Sequence, residues 1–370
     1  MDQKKENSVL NSFEITTGKT RLVSTPQYVT IGAHYSCNAN CIFCLGGDFP
    51  SFNMGIYREL FEKKLDRVLP NADHIGFCGF GEIFLMPGAG DFLDYINLTL
   101  PENTKVFNTN GIPLSNEICS KLNDGRYSLL VSMHASSAAL HERLTGTKKF
   151  GHIVERIQKL VKIKKERNST LHINLIFIVI NENISDLSEF VAFAKKIGAD
   201  RVTCNYVTIF EPDQLKMSTF FQKEKAEEYF EKALETAAAS DMTLILPPRY
   251  GKNRRQGGEK KPVCHDPWNF FYVETQGSVN PCCYAGNHIG YLDKQSFEEI
   301  WNGPGYTALR EGLVSGNTHF WCKHCMKHDP ANVDDIRSHI TFRPETQKKI
   351  IDYIKEHRNE FPAIDKEIEL

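Results

Sequence analysis

The chain has 370 residues, 41% of them hydrophobic and 24% charged, with a formal net charge of −2. That balance is ordinary for a globular protein, and the length favours one large catalytic domain with a smaller companion. A nearly neutral chain offers no strong field to nucleic acid or an acidic membrane. The N-terminus lacks the apolar stretch of a secretory signal, and the longest apolar run, residues 173–180, is too short to cross a bilayer, so a cytoplasmic protein without nucleic-acid or membrane partners is expected.

In chain order, residues 1–26 read as an N-terminal extension. From residue 27, β-rich runs at 28–32, 74–78, 104–108, 129–134, 171–180 and 201–208 alternate with amphipathic stretches such as 56–69, 138–165 and 184–197. Ile153, Ile157, Leu160 and Val161 recur at three- and four-residue spacing and Lys164 turns the face polar, as a surface helix requires. Six strand–helix repeats imply an α/β fold with parallel strands, a partial (β/α)6 barrel over residues 27–248, whose chemistry belongs at the carboxyl ends of the strands. A Glu-, Lys- and Ala-rich helix at 221–240 leads into the run 243–246. Residues 247–262 are dense in Gly, Pro, Arg and Lys and mark a boundary. A small cysteine-rich domain is expected over 262–330. A helical tail over 331–370, with an amphipathic helix at 344–357, completes the chain.

Eleven cysteines in a reducing compartment read as metal ligands or catalytic thiols rather than disulfides. Cys78, Cys119, Cys204 and Cys283 fit no spacing, and three of them are expected to be small buried hydrophobes. Cys37, Cys41 and Cys44 follow the first strand with C-x3-C-x2-C spacing. Three thiolates can bind three irons of a 4Fe–4S cluster and leave the fourth open. A zinc site, with His34 as fourth ligand, is the alternative.

With the aromatic Phe43 before its third cysteine, this stretch resembles the signature of the radical S-adenosylmethionine (SAM) superfamily. The resemblance implies that SAM chelates the open iron and is cleaved to methionine and a 5′-deoxyadenosyl radical that takes hydrogen from a substrate. Gly79-Phe80-Gly81-Glu82, after the second strand, resembles the family loop that receives the SAM amino group. Thr109-Asn110-Gly111, after the third, resembles a family turn. Ser132 stands where relatives contact the SAM ribose or carboxylate, and Val179 with Ile180 stands where the adenine packs. His134 replaces an aspartate of the family pattern and reads either as a substrate-facing catalytic residue or as a core histidine. Thr145-Gly146 replaces an Arg-Gly pair, which leaves Arg143 as a candidate partner for the SAM carboxylate.

Cys264 is followed by twelve residues, Gly277, four residues and Cys282; later comes Cys322-Lys323-His324-Cys325. Gly277 sits in a hairpin signal that would bring Cys264 and Cys282 together, with the C-x2-C pair completing a four-thiolate site. Cys283 competes with Cys282, and the glycine spacing favours Cys282. The pattern resembles the SPASM domain, or its shorter relative the twitch domain, which holds an auxiliary 4Fe–4S cluster; the spacing is similar to that of 2-deoxy-scyllo-inosamine dehydrogenase. A structural zinc knuckle is the alternative. His265, His288, His319, His324 and His328 read as surface or packing residues.

Two 4Fe–4S clusters and SAM are therefore the expected cofactors, with a flavodoxin or ferredoxin as implied electron donor. The leading functional expectation is oxidation of a small polar molecule (a sugar, cyclitol or amino-sugar) with the auxiliary cluster accepting an electron. The alternatives are a peptide or protein maturase and, from another class, a non-catalytic zinc-binding interaction protein. The short stretch before the first strand, and the lack of further cysteines after Cys325, weigh towards the small molecule.

Overall fold

A computed structural model describes residues 3–46, 51–252, 264–283 and 287–361. In chain order the elements are α1 (Gln3–Thr16), β1 (Tyr28–Gly32), α2 (Met54–Glu62), β2 (His74–Cys78), α3 (Ala89–Thr99), β3 (Thr104–Thr109), α4 (Asn116–Leu122), β4 (Tyr127–Ser132), α5 (Ala138–Thr145), α6 (Phe150–Arg167), β5 (His172–Val179), α7 (Leu187–Ile197), β6 (Arg201–Tyr206), α8 (Lys223–Ser240) and β7 (Thr243–Ile245). The cysteine-rich part then adds α9 (Asp266–Asn269), β8 (Phe270–Val273), β9 (Ser278–Asn280), β10 (Gly290–Tyr291), α10 (Phe297–Trp301), α11 (Pro304–Ser315) and α12 (Phe320–Lys323). The last helix is α13 (Pro344–Glu356).

The ten strands among the described residues form one sheet in the order β10-β9-β8-β1-β2-β3-β4-β5-β6-β7. From β8 through β1 to β7 every neighbour is parallel; β8, β9 and β10 pair antiparallel. The sheet thus stays open, as a partial barrel, and gains β7 beyond the expected six strands. β8 lies in parallel register beside β1, with Ile31 opposite Val273, so the sheet runs on into the cysteine-rich part. The expected boundary at 247–262 falls largely outside the described residues.

Alternation along the strands separates two faces. Phe77, Phe107, Phe177 and Tyr206 are buried and pack against Phe92 of α3, Phe190 of α7 and Phe230 of α8. The opposite face carries Cys78, Asn108, Ser132, Ile178, Asn205 and Tyr272, all half-buried or exposed at the carboxyl ends. A parallel sheet covered on both faces would bury these positions. Here one face lies open where the motifs sit.

Two local outcomes differ from the periodicity. The stretch 138–165 is two helices, because Gly146 caps α5 in the left-handed region (φ 67°) and a Cβ there would press within 3.2 Å of Asn40. Residues 1–26 contain α1, anchored by polar contacts: Asn11 donates to the Trp268 carbonyl (2.7 Å), and Glu14 accepts the backbone N–H groups of Val23 and Ser24 (2.9 and 3.1 Å).

Candidate cluster and cofactor site

The loop carrying Cys37, Cys41 and Cys44 leaves β1 and is braced by two neighbouring strand ends and the C-terminal end of α5. From the β2 end, Phe80 accepts the N–H of Tyr35 (3.0 Å), and the Glu82 N–H donates to the Ser36 carbonyl (3.2 Å). From the β3 end, Asn110 donates to Asn38 Oδ1 (2.7 Å) and lies 3.6 Å from Cys37 Sγ. From α5, the carbonyls of Thr145 and Leu144 accept the N–H groups of Asn40 and Ile42 (2.8 and 3.0 Å). The glycines of the second motif make this contact possible. Gly81 has φ 105°, and a Cβ on it would lie 1.6 Å from the Tyr35 carbonyl oxygen; a Cβ on Gly79 would meet Ala33 and His34 at 2.9 Å. Their absent side chains make room for the cysteine loop itself.

Cys37 and Cys44 are exposed and Cys41 is partly buried. Burial, then the neighbouring Cys44 and Cys37, push the Cys41 thiol up to about 12, so the three sulfurs are close enough to repel as thiolates. A bound cation would reverse that repulsion. Among the described residues no three Cys, His, Asp or Glu side chains already close around one point. The loop therefore presents its ligands without a finished coordination shell.

Glu82 is fully buried. Its carboxylate receives the Asn110 N–H (2.6 Å) and the Phe84 N–H (3.2 Å), and both oxygens lie 2.9 Å from the Thr109 hydroxyl. Burial outweighs these bonds and pushes its acid up to about 7. All its donors are neutral, and among the described residues no cation pairs with it. A buried carboxylate with uncompensated charge beside the cysteine loop fits the ammonium of an amino-acid cofactor.

Phe43 packs with Ile178 on a small apolar cluster of Ala135, Leu140, Leu144, Ile180 and Val207. Ile180 lies in that cluster. Val179 does not: it belongs to the helix-covered core, because strand alternation turns it away and presents Ile178 instead. Ser132 is half-buried at the open end of β4. His134, expected as a candidate catalytic residue, sits with φ 60°, its ring buried; Nδ1 accepts the Ile178 N–H (3.1 Å) and its carbonyl accepts from Asn183 (3.0 Å). Burial, then His141, push its pKa down to about 3. These contacts make it a latch between β4 and β5, with Phe43 edge-on at 4.9 Å. Arg143 is exposed and paired with Glu182 (2.7 Å).

In the cysteine-rich part, Gly277 (φ 87°) turns the expected hairpin between β8 and β9. Cys264, Cys282, Cys322 and Cys325 line a single small cavity, walled mostly by Pro267, Leu309, Leu313 and Trp321. Burial pushes the Cys264 and Cys322 thiols up to about 12 and raises that of Cys325. Four thiols lining one largely apolar cavity fit a metal centre that would draw them together and neutralise thiolates. Cys283 instead lines a groove of about 360 Å³ on the open side, with Phe80, Tyr272, Glu274, His288, Ser338 and residues 340–343. The adjacent cysteines thus face different cavities.

Residues 264–326 match the SPASM family, described as an iron–sulfur cluster-binding domain. The curated relatives include the antilisterial bacteriocin subtilosin biosynthesis protein AlbA of Bacillus subtilis, 22% identical over 85% of this chain and 67% of that protein. They also include an AdoMet-dependent heme synthase of Methanosarcina barkeri, 22% identical over 78% of this chain and 86% of that protein. Streptococcus suis SuiB bound to precursor peptide SuiA shares the fold, with TM-score 0.61 and 14% identity over 82% of this chain and 71% of that one.

Residues 264–326 therefore form a SPASM iron–sulfur cluster-binding domain, and the chain as a whole shares the fold of SuiB. That domain makes an iron–sulfur cluster a cofactor of this chain. No helix among the described residues is long and apolar enough to cross a membrane. Sequence reasoning missed one part of this site. His34, offered there as a zinc ligand, has both ring nitrogens engaged: Nδ1 accepts the Phe80 N–H (3.0 Å) and Nε2 lies 2.5 Å from Glu274. No local pattern announces a pair separated by 240 residues.

Proposed function

We propose that this chain is a radical SAM protein that modifies a peptide. Residues 27–248 act as catalytic core and 262–330 as auxiliary domain. Cys37, Cys41 and Cys44 hold one 4Fe–4S cluster, and Cys264, Cys282, Cys322 and Cys325 hold a second. Bound at the first site, cluster and SAM together supply the hydrogen-abstracting 5′-deoxyadenosyl radical. Glu82 meets the SAM ammonium, Phe43 and Ile178 offer an apolar wall, and Asn110 fixes the loop beside Cys37.

The observation that carries the peptide reading is the groove at the strand ends, about 360 Å³, between Phe80 of the cofactor loop and Ser338 with residues 340–343. Thr208, Asn280, Ser338 and Thr341 offer partners for backbone N–H and C=O groups, and Tyr272, Phe210 and Phe342 offer walls for a side chain. AlbA, named for bacteriocin biosynthesis, and SuiB, solved on its precursor peptide, support the same reading over oxidation of a sugar or cyclitol. A one-electron donor such as a flavodoxin or ferredoxin would reduce the first cluster.

The test uses anaerobically reconstituted protein with SAM and dithionite. It is offered synthetic peptides encoded by short reading frames beside its gene and, separately, aminocyclitols. A peptide that loses two hydrogens by mass is the expected result, one as an atom to the 5′-deoxyadenosyl radical and the other as a proton whose electron the second cluster accepts, with 5′-deoxyadenosine formed in step. Oxidation of an aminocyclitol with every peptide unchanged would overturn the reading.

A further inference from the structure

We propose that Glu274, at the end of β8, is a positioning residue that fixes the catalytic cysteine loop from the auxiliary side by holding His34; this rests on the function proposed above. His34 stands three residues before Cys37 and is buried. Its Nδ1 accepts the Phe80 N–H, so the ring proton sits on Nε2, which donates to Glu274 Oε2 at 2.5 Å. The other carboxylate oxygen, Oε1, accepts from Asn280 Nδ2 (3.3 Å). A carboxylate only accepts, so this fixes the amide's orientation and leaves Asn280 Oδ1 facing His288 Nδ1 at 2.9 Å. A hydrogen-bonded line therefore runs from the cysteine loop to the groove wall.

The backbone is shaped for this contact. A Cβ on Gly32 would lie 2.3 Å from Glu274 Oε2, and a Cβ on Gly79 would lie 2.9 Å from His34 Nδ1. Both partners reach each other only through space that glycine leaves. Thr275 clamps the same strand ends by donating to the Gly32 carbonyl, and Tyr272 is a further titratable neighbour of the carboxylate, with Cys283 and His288 in the same groove. β1 leads to the cysteine trio and the β8–β9 hairpin leads to Cys282, so Glu274 joins the supports of the two sites.

Glu274→Gln keeps the shape but leaves one acceptor where two are needed, so His34 or Asn280 loses its partner. The test uses reconstituted holoprotein with SAM and dithionite and no substrate. It reads iron content, the electron paramagnetic resonance (EPR) spectrum of the reduced trio cluster with and without SAM, and the rate of 5′-deoxyadenosine release. Glu274→Gln should keep its iron, alter the SAM-dependent spectrum and release 5′-deoxyadenosine about tenfold more slowly or worse, the usual range for partners of metal-site supports. His34→Gln keeps a donor for Glu274 and should retain several-fold more cleavage than His34→Leu. The proposal is overturned if Glu274→Gln matches the unaltered protein in spectrum and rate. If Glu274→Gln loses its iron, the His34 pair decides, and equal rates for Gln and Leu overturn it. Unaltered protein that binds no iron or releases no 5′-deoxyadenosine sinks the functional reading instead.

Discussion

The two cysteine sites are built on opposite plans. The trio lies on one loop, within eight residues, with two of its thiols exposed, and is braced by hydrogen bonds from two strand ends and the end of α5. The quartet is gathered from residues 264 to 325 and enclosed by Leu309, Leu313 and Trp321. An exposed trio admits a further ligand, whereas an apolar quartet keeps ligands out and is suited to holding or passing an electron. Openness at one site and closure at the other follow from the same backbone, because β1 and β8 are neighbours that end side by side.

The sharpest way to break that contrast is Cys41→Ala. It should abolish 5′-deoxyadenosine formation and lower iron from about eight to about four per chain, the remaining four belonging to the quartet. Chromatography of SAM digests and iron analysis check both. Gly81→Ala comes next: a methyl 1.6 Å from the Tyr35 carbonyl and a φ of 105° force the loop to move. It should cost roughly 2–4 kcal/mol and at least the trio's iron, while the quartet stays loaded, as read by thermal melting and EPR.

Glu82 gives a pH test. Its folded acid is raised to about 7 from the ordinary 4.5, so the folded SAM-free protein binds the proton more tightly than the unfolded chain. Stability should then fall as pH rises from about 4.5 through 7, by on the order of 3 kcal/mol, and Glu82→Gln should remove that slope. Melting temperatures of both proteins without SAM, between pH 5 and 8, decide it. Trp321→Ala opens the quartet's wall and should speed air bleaching of half the iron several-fold, leaving 5′-deoxyadenosine release within about twofold; absorbance at the cluster band reads the former. The smallest effect belongs to His134→Asn, since asparagine tolerates φ 60° and can accept the Ile178 N–H. It should keep about half or more of SAM cleavage; a loss of tenfold would return His134 to the chemistry.

How much was legible follows from range. The strands at 28–32 and 74–78 match β1 and β2, and the others agree to within two residues, because β-rich runs between helical stretches are local signals. The trio, the Glu82 loop and the Thr109–Gly111 turn were readable because each motif follows directly on its strand. The break at Gly146 was not, since the glycine answers to Asn40 a hundred residues away. Nor was α1, whose anchoring runs through Asn11 and Glu14 rather than an apolar stripe.

By itself the sequence determined which residues can carry the chemistry: thiols at cluster spacing, a carboxylate after glycines, strands alternating with helices. These depend on neighbours within about a dozen positions, where residue type and period act directly. Only the tertiary structure decided that Cys282 and not Cys283 joins the quartet's cavity, that Ile178 and not Val179 faces the opening, and that His34 is bound by Glu274. Those outcomes depend on pleat parity and on strands brought together across two hundred residues, and burial and hydrogen-bond geometry exist only once they meet.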